Sequence, residues 1–322
     1  MRSVQVVRLD GPAAVEVRDA PEPQRRADEV LIDVRAAGVN FPDVLQSKGL
    51  YQYRPDLPFV LGSEVAGVVR EAPDGSPLQP GGRVVAFSGT GAFAEVAAVS
   101  ADHVLPLPDE VSFAAGAALP MNYLTAHFAL LVRGHLQPGQ TVLVHGAAGG
   151  VGTACTQLAV ALGARVVAVV STKEKAEVAR AAGAHEAVLA DGFRDAVKSL
   201  TAGAGVDLVV DPVGGDRFTD SLRCLAPAGR LLVVGFTAGE IPTVRVNRLL
   251  LNNIDVVGVG WGAYALARPG YLAEQWAQLE PHLRSGALDP VISETLPLVQ
   301  AADALARIDE RKVTGKVVLE TS

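Results

Sequence analysis

Residues 141–159 read TVLVHGAAGGVGTACTQLA, and this stretch decides the fold class of the chain. The apolar run Thr141–His145 is typical of a buried strand, and it leads into a turn rich in glycine and then into a helical segment. The glycines of the turn are Gly146, Gly149, Gly150 and Gly152. Glycine lets the backbone approach a pyrophosphate, whose charge the amino end of the following helix stabilises. Ala147 stands where the G-x-G-x-x-G pattern has its first glycine, so an ordinary tight turn between strand and helix is the alternative.

Similar apolar runs follow at intervals that leave room for helices. They are Arg165–Val170, Val206–Val210 and Arg230–Val234. Alternation of buried strands and helix-length segments predicts a parallel sheet with crossover helices, which is the doubly wound nucleotide-binding (Rossmann) architecture. We assign residues 120–260 to this domain.

The first 119 residues have a different pattern, in which short apolar runs are broken by Gly, Pro and Asp. Examples are Val30–Val34, Val65–Val69 and Val84–Phe87. This pattern predicts a small β-barrel domain. After an apolar strand at Ile254–Val259, the chain has a helical stretch at Tyr271–Leu283 and a final strand near Lys316–Leu319. We expect residues 261–322 to return and complete the first domain.

The composition excludes several functional classes. Twenty-eight Lys and Arg against 35 Asp and Glu give a net charge of −7, which disfavours nucleic acid and anionic membrane as partners. Two cysteines cannot form a structural zinc site of four thiolates, and the six histidines have no close ligand spacing. No apolar run approaches the ~20 residues that span a bilayer, so we expect a cytoplasmic protein.

The end of the second predicted strand bears on the choice of cofactor. Sites for NAD usually have an acidic residue there, whereas this chain has Ser171 and Thr172 followed by Lys173 and Lys175. Hydroxyl and ammonium groups suit the 2′-phosphate of NADPH. The alternative is that the two lysines form the solvated first turn of a helix.

Several longer motifs carry a resemblance to a known family. They are AAGVNFPDVLQSKGLYQYRPDLPFVLGSEVAGVV at 36–69, AAGGVG at 147–152, DPVGG at 211–215, LLVVGF at 231–236 and GKVVL at 315–319. Together they resemble the zinc-independent quinone oxidoreductase group of the medium-chain dehydrogenase/reductase superfamily. The resemblance implies an α/β fold in which a GroES-like β-barrel catalytic domain contains an inserted Rossmann domain. It also implies NADPH as cofactor, hydride transfer to a quinone or other conjugated carbonyl, and a homodimer paired through Ile254–Val259.

The resemblance assigns roles to individual residues. The catalytic candidates are Asn40, Asp43 and Tyr51. The candidates for cofactor binding are Thr125, Gly146, Gly149, Gly150, Val151 and Gly152, then Ser171 and Lys175 at the 2′-phosphate, Val234, Gly235 and Phe236 at the nicotinamide, and Lys316.

Five of the candidates have an alternative interpretation. Asn40 is alternatively a turn residue and Asp43 a helix cap. Thr125 is alternatively bonded within its own helix, Phe236 is a core aromatic and Lys316 is an exposed surface residue.

The metal ligands of the zinc-dependent relatives are absent. Those enzymes have a cysteine where this chain reads Val39–Asp43, and a histidine before a glutamate where it reads Gly62-Ser63-Glu64, so the thiolate and the imidazole are both missing. Without a Lewis acid an alcohol is a poor substrate, whereas reduction of a conjugated acceptor gives a delocalised oxyanion. A reductase of alkenals or enoyl thioesters and a non-catalytic NADPH-binding protein are the alternatives. Ala190 or Asp191 replaces a tyrosine found near the adenine phosphate in many relatives, which leaves the choice between NADPH and NADH open.

Overall fold

The structure of the chain is a computed structural model that describes residues 1–321. The strands, numbered along the chain, are β1 Arg2–Val6, β2 Val15–Asp19, β3 Glu29–Val39, β4 Phe59–Val60, β5 Glu64–Glu71, β6 Arg83–Phe87, β7 Val96–Ser100, β8 Val104–Pro106, β9 Thr141–His145, β10 Arg165–Val170, β11 Glu186–Leu189, β12 Val206–Asp211, β13 Leu225–Val233, β14 Asp255–Gly258, β15 Ile292–Pro297 and β16 Lys316–Glu320. The α-helices are α1 Phe41–Ser47, α2 Phe113–Gly116, α3 Thr125–His127, α4 Gly150–Ala161, α5 Lys173–Ala181, α6 Phe193–Leu200, α7 Phe218–Cys224, α8 Asn247–Asn252, α9 Trp261–Ala265, α10 Tyr271–Arg284 and α11 Ala301–Asp309. Residues Pro120–Leu124 and Phe128–Arg133 form π-helical turns.

The chain divides into two compact units. The first comprises Met1–Met121, Arg268–Arg284 and Ile292–Ser322, and the second comprises Asn122–Ala267 and Ser285–Val291. Each unit has sheets and an apolar core of its own, so each is described by itself.

The strands of the first unit pair antiparallel, except that β15 and β16 pair in parallel. One sheet has the order β2-β1-β4, and the other has the order β15-β16-β3-β5-β6-β8 with β7 also paired to β3. The returning strand β16 pairs with β3, so the end of the chain is part of the same sheet as its beginning. Buried aliphatic side chains from these strands and from α11 surround Phe93, which is fully buried.

The second unit is a six-stranded sheet with the order β11-β10-β9-β12-β13-β14, in which all pairs are parallel. Its central strands are apolar along their length because helices cover both faces of such a sheet. Successive strands run outward from β9 in one direction and from β12 in the other. The carboxyl ends of β9 and β12 therefore form the switch point at which open α/β sheets bind ligands.

The predicted strands agree closely with those of the structure. Thr141–His145 and Arg165–Val170 have the predicted bounds, and β12 extends one residue further, to Asp211. The strand predicted at Arg230–Val234 overlaps the longer β13, Leu225–Val233, and runs one residue past its end. The predicted α/β fold class is confirmed.

Within residues 1–321, no helix is long and apolar enough to cross a bilayer.

Candidate functional site

The glycine turn of the second unit leads directly from β9 into α4. Gly149 is the N-cap of α4, and no side chain caps the helix there. The first N–H groups of an α-helix have no partner within it, so those at the start of α4 are available to an anion. A Cβ atom on Gly152 would lie 2.2 Å from the carbonyl oxygen of Gly146, and Gly146 itself has a φ of 57°. The turn therefore depends on glycine at both positions, and the amides that follow it can accept an anion.

The segment after β10 is exposed and polar. Thr172 caps α5 by accepting a hydrogen bond from the amide of Lys175 at 3.3 Å. Ser171 is exposed, and Lys175 is half-buried. Because β10 pairs with β9, these groups lie at the same carboxyl-terminal end of the strands as the glycine turn.

The segment that follows β13 also lies at the carboxyl-terminal end of the strands. The amide of Val234 donates to the carbonyl of Asp211, the last residue of β12, at 2.9 Å. The side chain of Phe236 is 37% exposed, so it is not a core aromatic. Thr125 is buried in α3.

A buried polar cluster lies in the first unit. Lys316, at the start of β16, is 3% exposed and forms an ion pair with Glu64, at the start of β5, which is fully buried. The Lys316 ammonium also donates to Oδ1 of Asn40 at 2.5 Å, and Nδ2 of Asn40 donates to Oε1 of Glu64 at 2.8 Å. The second oxygen of Glu64 accepts the amide of Met121 at 2.7 Å. One carboxylate therefore joins three separate segments of the unit.

Asp43 completes this cluster and has an unusual environment. It is fully buried at the start of α1, where Oδ2 accepts the amide of Asn40 at 2.7 Å. Its other oxygen, Oδ1, is buried without a hydrogen-bond partner. Burial raises the pKa of Asp43 to about 7, although the Asn40 amide and the Lys316 ammonium both oppose this rise. The carboxyl group therefore exchanges its proton near neutral pH.

Tyr51 lies within electrostatic reach of Asp43. Its pKa is raised, first by burial and then by the negative charge of Asp43. Its phenol therefore stays protonated at neutral pH and can donate a hydrogen bond.

The sequence of the chain matches two known protein families. Residues 26–109 match the alcohol dehydrogenase GroES-like domain family, and residues 150–279 match the zinc-binding dehydrogenase family. The chain is 38% identical over 295 residues to quinone oxidoreductase-like protein 2 of Bos taurus, which covers 90% of this chain and 84% of that protein. The chain belongs to the medium-chain dehydrogenase/reductase superfamily, in its quinone oxidoreductase group.

Two solved structures are similar to the chain over its full length. A probable oxidoreductase from Mycobacterium abscessus has a TM-score of 0.92 and 42% identity, and the match covers 100% of this chain and 99% of that one. The quinone oxidoreductase from Thermus thermophilus, solved alone and with NADPH, has a TM-score of 0.86 and 36% identity, with 100% of both chains covered.

The structure groups the predicted residues of this superfamily member within each unit. Asn40, Asp43 and Lys316 share the buried cluster, with Tyr51 within electrostatic reach. In the second unit, the predicted cofactor residues follow the carboxyl ends of β9, β10 and β13, apart from Thr125 in α3. Lys316 is buried and bonded, so the interpretation as a surface residue does not hold. The cap interpretation of Asp43 does hold, because its carboxylate accepts the Asn40 amide.

Glu64 is the main residue that the sequence analysis did not select. In the sequence, Glu64 was noticed only because it follows Ser63, where the zinc-dependent relatives have a histidine ligand. Its ion-pair partner, Lys316, lies 252 residues further along the chain. An acidic residue inside the apolar strand pattern GSEVAGVV was the available signal, since a buried carboxylate needs a partner. Within residues 1–321, no group of three or more His, Cys, Asp and Glu side chains is arranged to hold a metal ion.

Proposed function

We propose that this chain is a zinc-independent, NADPH-dependent reductase of quinones or other conjugated carbonyls. The observation that carries the proposal is the uncapped helix behind the glycine turn, at the switch point of the sheet, in a member of the quinone oxidoreductase group. NADPH, when bound, supplies a hydride from its nicotinamide ring.

For the cofactor we propose three contact regions along the edge of the sheet. Residues Gly146–Gly152 would hold the pyrophosphate, because the helix N-terminus offers free amides and a positive dipole end. Ser171 and Lys175 would hold the 2′-phosphate, through a hydroxyl and an ammonium group. Thr125 and the main chain at Val234–Phe236 would contact the nicotinamide end.

For the proton we propose Tyr51 and Asp43. Tyr51 keeps its phenolic proton at neutral pH and can donate it toward an oxyanion that forms on the substrate. Asp43, with a pKa of about 7, is matched to proton exchange near neutral pH. The amide oxygen of Asn40 accepts a hydrogen bond from Lys316, and its amide nitrogen donates one to Glu64. We therefore propose that Asn40 orients the site and that Lys316 acts through Asn40.

The donor set supports a reaction that does not use zinc. Asn40 and Ser63 belong to the two segments in which the zinc-dependent relatives have their cysteine and histidine ligands, and an amide and a hydroxyl are poor ligands for zinc. The Nδ2 atom of Asn40 donates a hydrogen bond to Oγ of Ser63 at 3.4 Å. A conjugated acceptor suits this site because its oxyanion is delocalised and needs only hydrogen-bond donors.

A steady-state assay of NADPH oxidation tests the proposed function. The panel contains a benzoquinone, a naphthoquinone, an enone, an enoyl thioester and a saturated aldehyde, each with EDTA present. We expect acceleration by the quinones or the enone and none by the saturated aldehyde. Faster turnover of the enoyl thioester than of any quinone would favour the acyl reductase, and binding of NADPH with no turnover of any compound would favour the non-catalytic protein.

We also propose a homodimer paired through Ile254–Val259. This segment contains β14, which is an edge of the six-stranded sheet. Beside it in the chain, Val246, Leu250 and Leu251 are more than 70% exposed, which is unusual for apolar side chains. The amide of Val259 donates to Val233, so alternation along β14 turns the Val256 N–H outward.

Light scattering measures this assembly directly. We expect twice the chain mass of 33.4 kDa, and a monomer for Val256→Pro, which loses an outward N–H and no bond of its own sheet. A dimeric Val256→Pro variant, or a monomeric wild type, would contradict the proposed pairing. For location we propose the cytoplasm, which the two buried, unpaired thiols of Cys155 and Cys224 support.

A further inference from the structure

The DPVGG motif at residues 211–215 has a structural role that the sequence did not suggest. Asp211 ends β12 and is 2% exposed. Its Oδ1 atom accepts two backbone hydrogen bonds, from the amides of Val213 and Gly214, each at 2.9 Å. Gly214 has a φ of 66°, so the turn has a conformation that few other residues adopt. A single carboxylate oxygen thus holds the turn closed.

The 211–215 turn also fixes the segment that follows β13. The carbonyl of Pro212 accepts the amide of Thr237 at 3.1 Å, and the carbonyl of Val213 accepts the amide of Ala238 at 2.9 Å. The amide of Gly215 donates back to the carbonyl of Glu240 at 3.3 Å. The main chain of residues 234–240 is therefore fixed by the turn that Asp211 closes.

The same turn also packs against the glycine turn. A Cβ atom on Gly146 would lie 3.2 Å from Cγ2 of Val213 and 3.7 Å from Cγ of Pro212. The 211–215 turn is therefore in contact with the turn that follows β9 and bonded to the segment that follows β13. A shift of Pro212 or Val213 would be transmitted to both.

We infer that Asp211 is a positioning residue for the nicotinamide end of the cofactor site. It acts through the 211–215 turn on the main chain of Val234–Ala238. This inference rests on the proposed function, which puts the nicotinamide against Val234–Phe236. Strand β9 lies between β12, which ends at Asp211, and β10, which precedes the 2′-phosphate segment at Ser171–Lys175. The loss of Asp211 should therefore affect one half of the cofactor and spare the other.

Replacement by asparagine is a clean control at this position. Asn keeps an oxygen acceptor of the same shape for the two amides, whereas Ala removes it and leaves the buried Gly214 amide unpaired. The neighbouring His145 is neutral near pH 7, because burial lowers its pKa to about 4. Removing the charge of Asp211 therefore leaves no buried imidazolium unpaired.

The experiment compares Asp211→Ala, Asp211→Asn and Asp207→Ala. Asp207 lies in the same strand and accepts the amide of Thr141 at 2.7 Å, so it is a matched carboxylate far from the turn. For each variant, calorimetry gives the Kd of 2′,5′-ADP, which lacks the nicotinamide. Fluorescence of bound NADPH gives the Kd of the whole cofactor, and turnover with a quinone gives kcat and KM.

We expect Asp211→Ala to lower kcat by about 10- to 100-fold, since a displacement of about 1 Å in a positioning element costs up to that factor. NADPH should bind more weakly with altered fluorescence, while the Kd of 2′,5′-ADP stays within about 2-fold. Asp211→Asn should restore kcat to within about 3-fold, and Asp207→Ala should lower thermal stability and leave kcat unchanged.

Two results would overturn the inference. One is wild-type kcat and NADPH fluorescence in a folded Asp211→Ala protein, and the other is an equal loss of affinity for 2′,5′-ADP and NADPH. If Asp211→Ala does not fold, Thr237→Pro removes the amide bonded to Pro212 and should give the same separation of effects, whereas wild-type behaviour would contradict it. If the wild type reduces no quinone, the proposed function fails, and the two binding measurements still decide the role of Asp211.

Discussion

Replacing Lys316 by methionine would test whether the buried cluster anchors the first unit. The change keeps most of the side-chain volume and leaves the carboxylate of Glu64, which is fully buried, without its cation. Removing one partner of a buried ion pair costs about 3–5 kcal/mol. Glu64 would keep the N–H donors of Asn40 at 2.8 Å and Met121 at 2.7 Å, so we expect about 3 kcal/mol, near the lower end.

Urea unfolding followed by tryptophan fluorescence measures this loss. Trp276 belongs to the first unit and its indole N–H bonds to Pro106, so a Trp261→Phe background leaves one reporter for that unit. With a denaturant slope of about 2 kcal/mol per molar, the midpoint should fall by about 1.5 M. Glu64→Gln in the Lys316→Met protein removes the unpaired charge and should restore most of the loss.

A surface ion pair provides the control for this experiment. Lys48 pairs with Asp309 at 2.7 Å, and both side chains are 34% exposed. Lys48→Met should cost about 0–1 kcal/mol, because exposed pairs contribute little. A midpoint for Lys316→Met no lower than that of Lys48→Met would refute the conclusion that the buried pair anchors the unit.

Three further predictions concern Asp43, the glycine turn and Lys175. Burial raises the pKa of Asp43 from 3.8 to about 7, so its proton stabilises the fold below pH ~4 and this contribution is lost as the pH rises to ~7. The unfolding free energy of Asp43→Asn should therefore fall less across that range than that of the wild type, by at most about 4 kcal/mol, and a parallel decline in both would exclude the shifted pKa. Gly152→Ala puts a Cβ atom 2.2 Å from the Gly146 carbonyl oxygen and should weaken NADPH binding by more than about 10-fold in calorimetry, whereas unchanged affinity would place the pyrophosphate elsewhere. Lys175→Ala should raise the Kd of NADPH by about 10-fold and leave that of NADH unchanged, and equal affinities for both cofactors in both proteins would remove the assignment of the 2′-phosphate.

The parts of the fold that sequence predicted well depend on local patterns. A strand buried on both faces must be apolar along its length, so β9 and β10 were visible as uninterrupted runs. The turn between β9 and α4 was visible because close backbone approach requires glycine. These signals lie within a few residues of one another.

The parts that sequence did not predict depend on distant partners. Glu64 and Lys316 meet across 252 residues, and Asp289 meets Gln157 across 132 residues. No local spacing encodes such pairs. The same holds for Asp43, whose burial and unpaired oxygen could not be inferred from its position in a helix-capping pattern.

The structural role of the DPVGG motif could not be predicted from the sequence for a related reason. The sequence shows a turn after a strand, and the residues that the turn holds lie about 25 positions later, beyond α7 and β13. The hydrogen bonds to Thr237 and Ala238 emerge only when parallel strands bring both segments to the same edge.

A single-turnover experiment tests the central claim most directly. The protein is treated with EDTA, loaded with NADPH and mixed rapidly with a benzoquinone while the absorbance of NADPH is followed. Our account predicts that NADPH is oxidised faster than in an enzyme-free mixture and that added zinc does not increase the rate. Oxidation no faster than in the enzyme-free mixture, or oxidation that appears only with zinc, would contradict it.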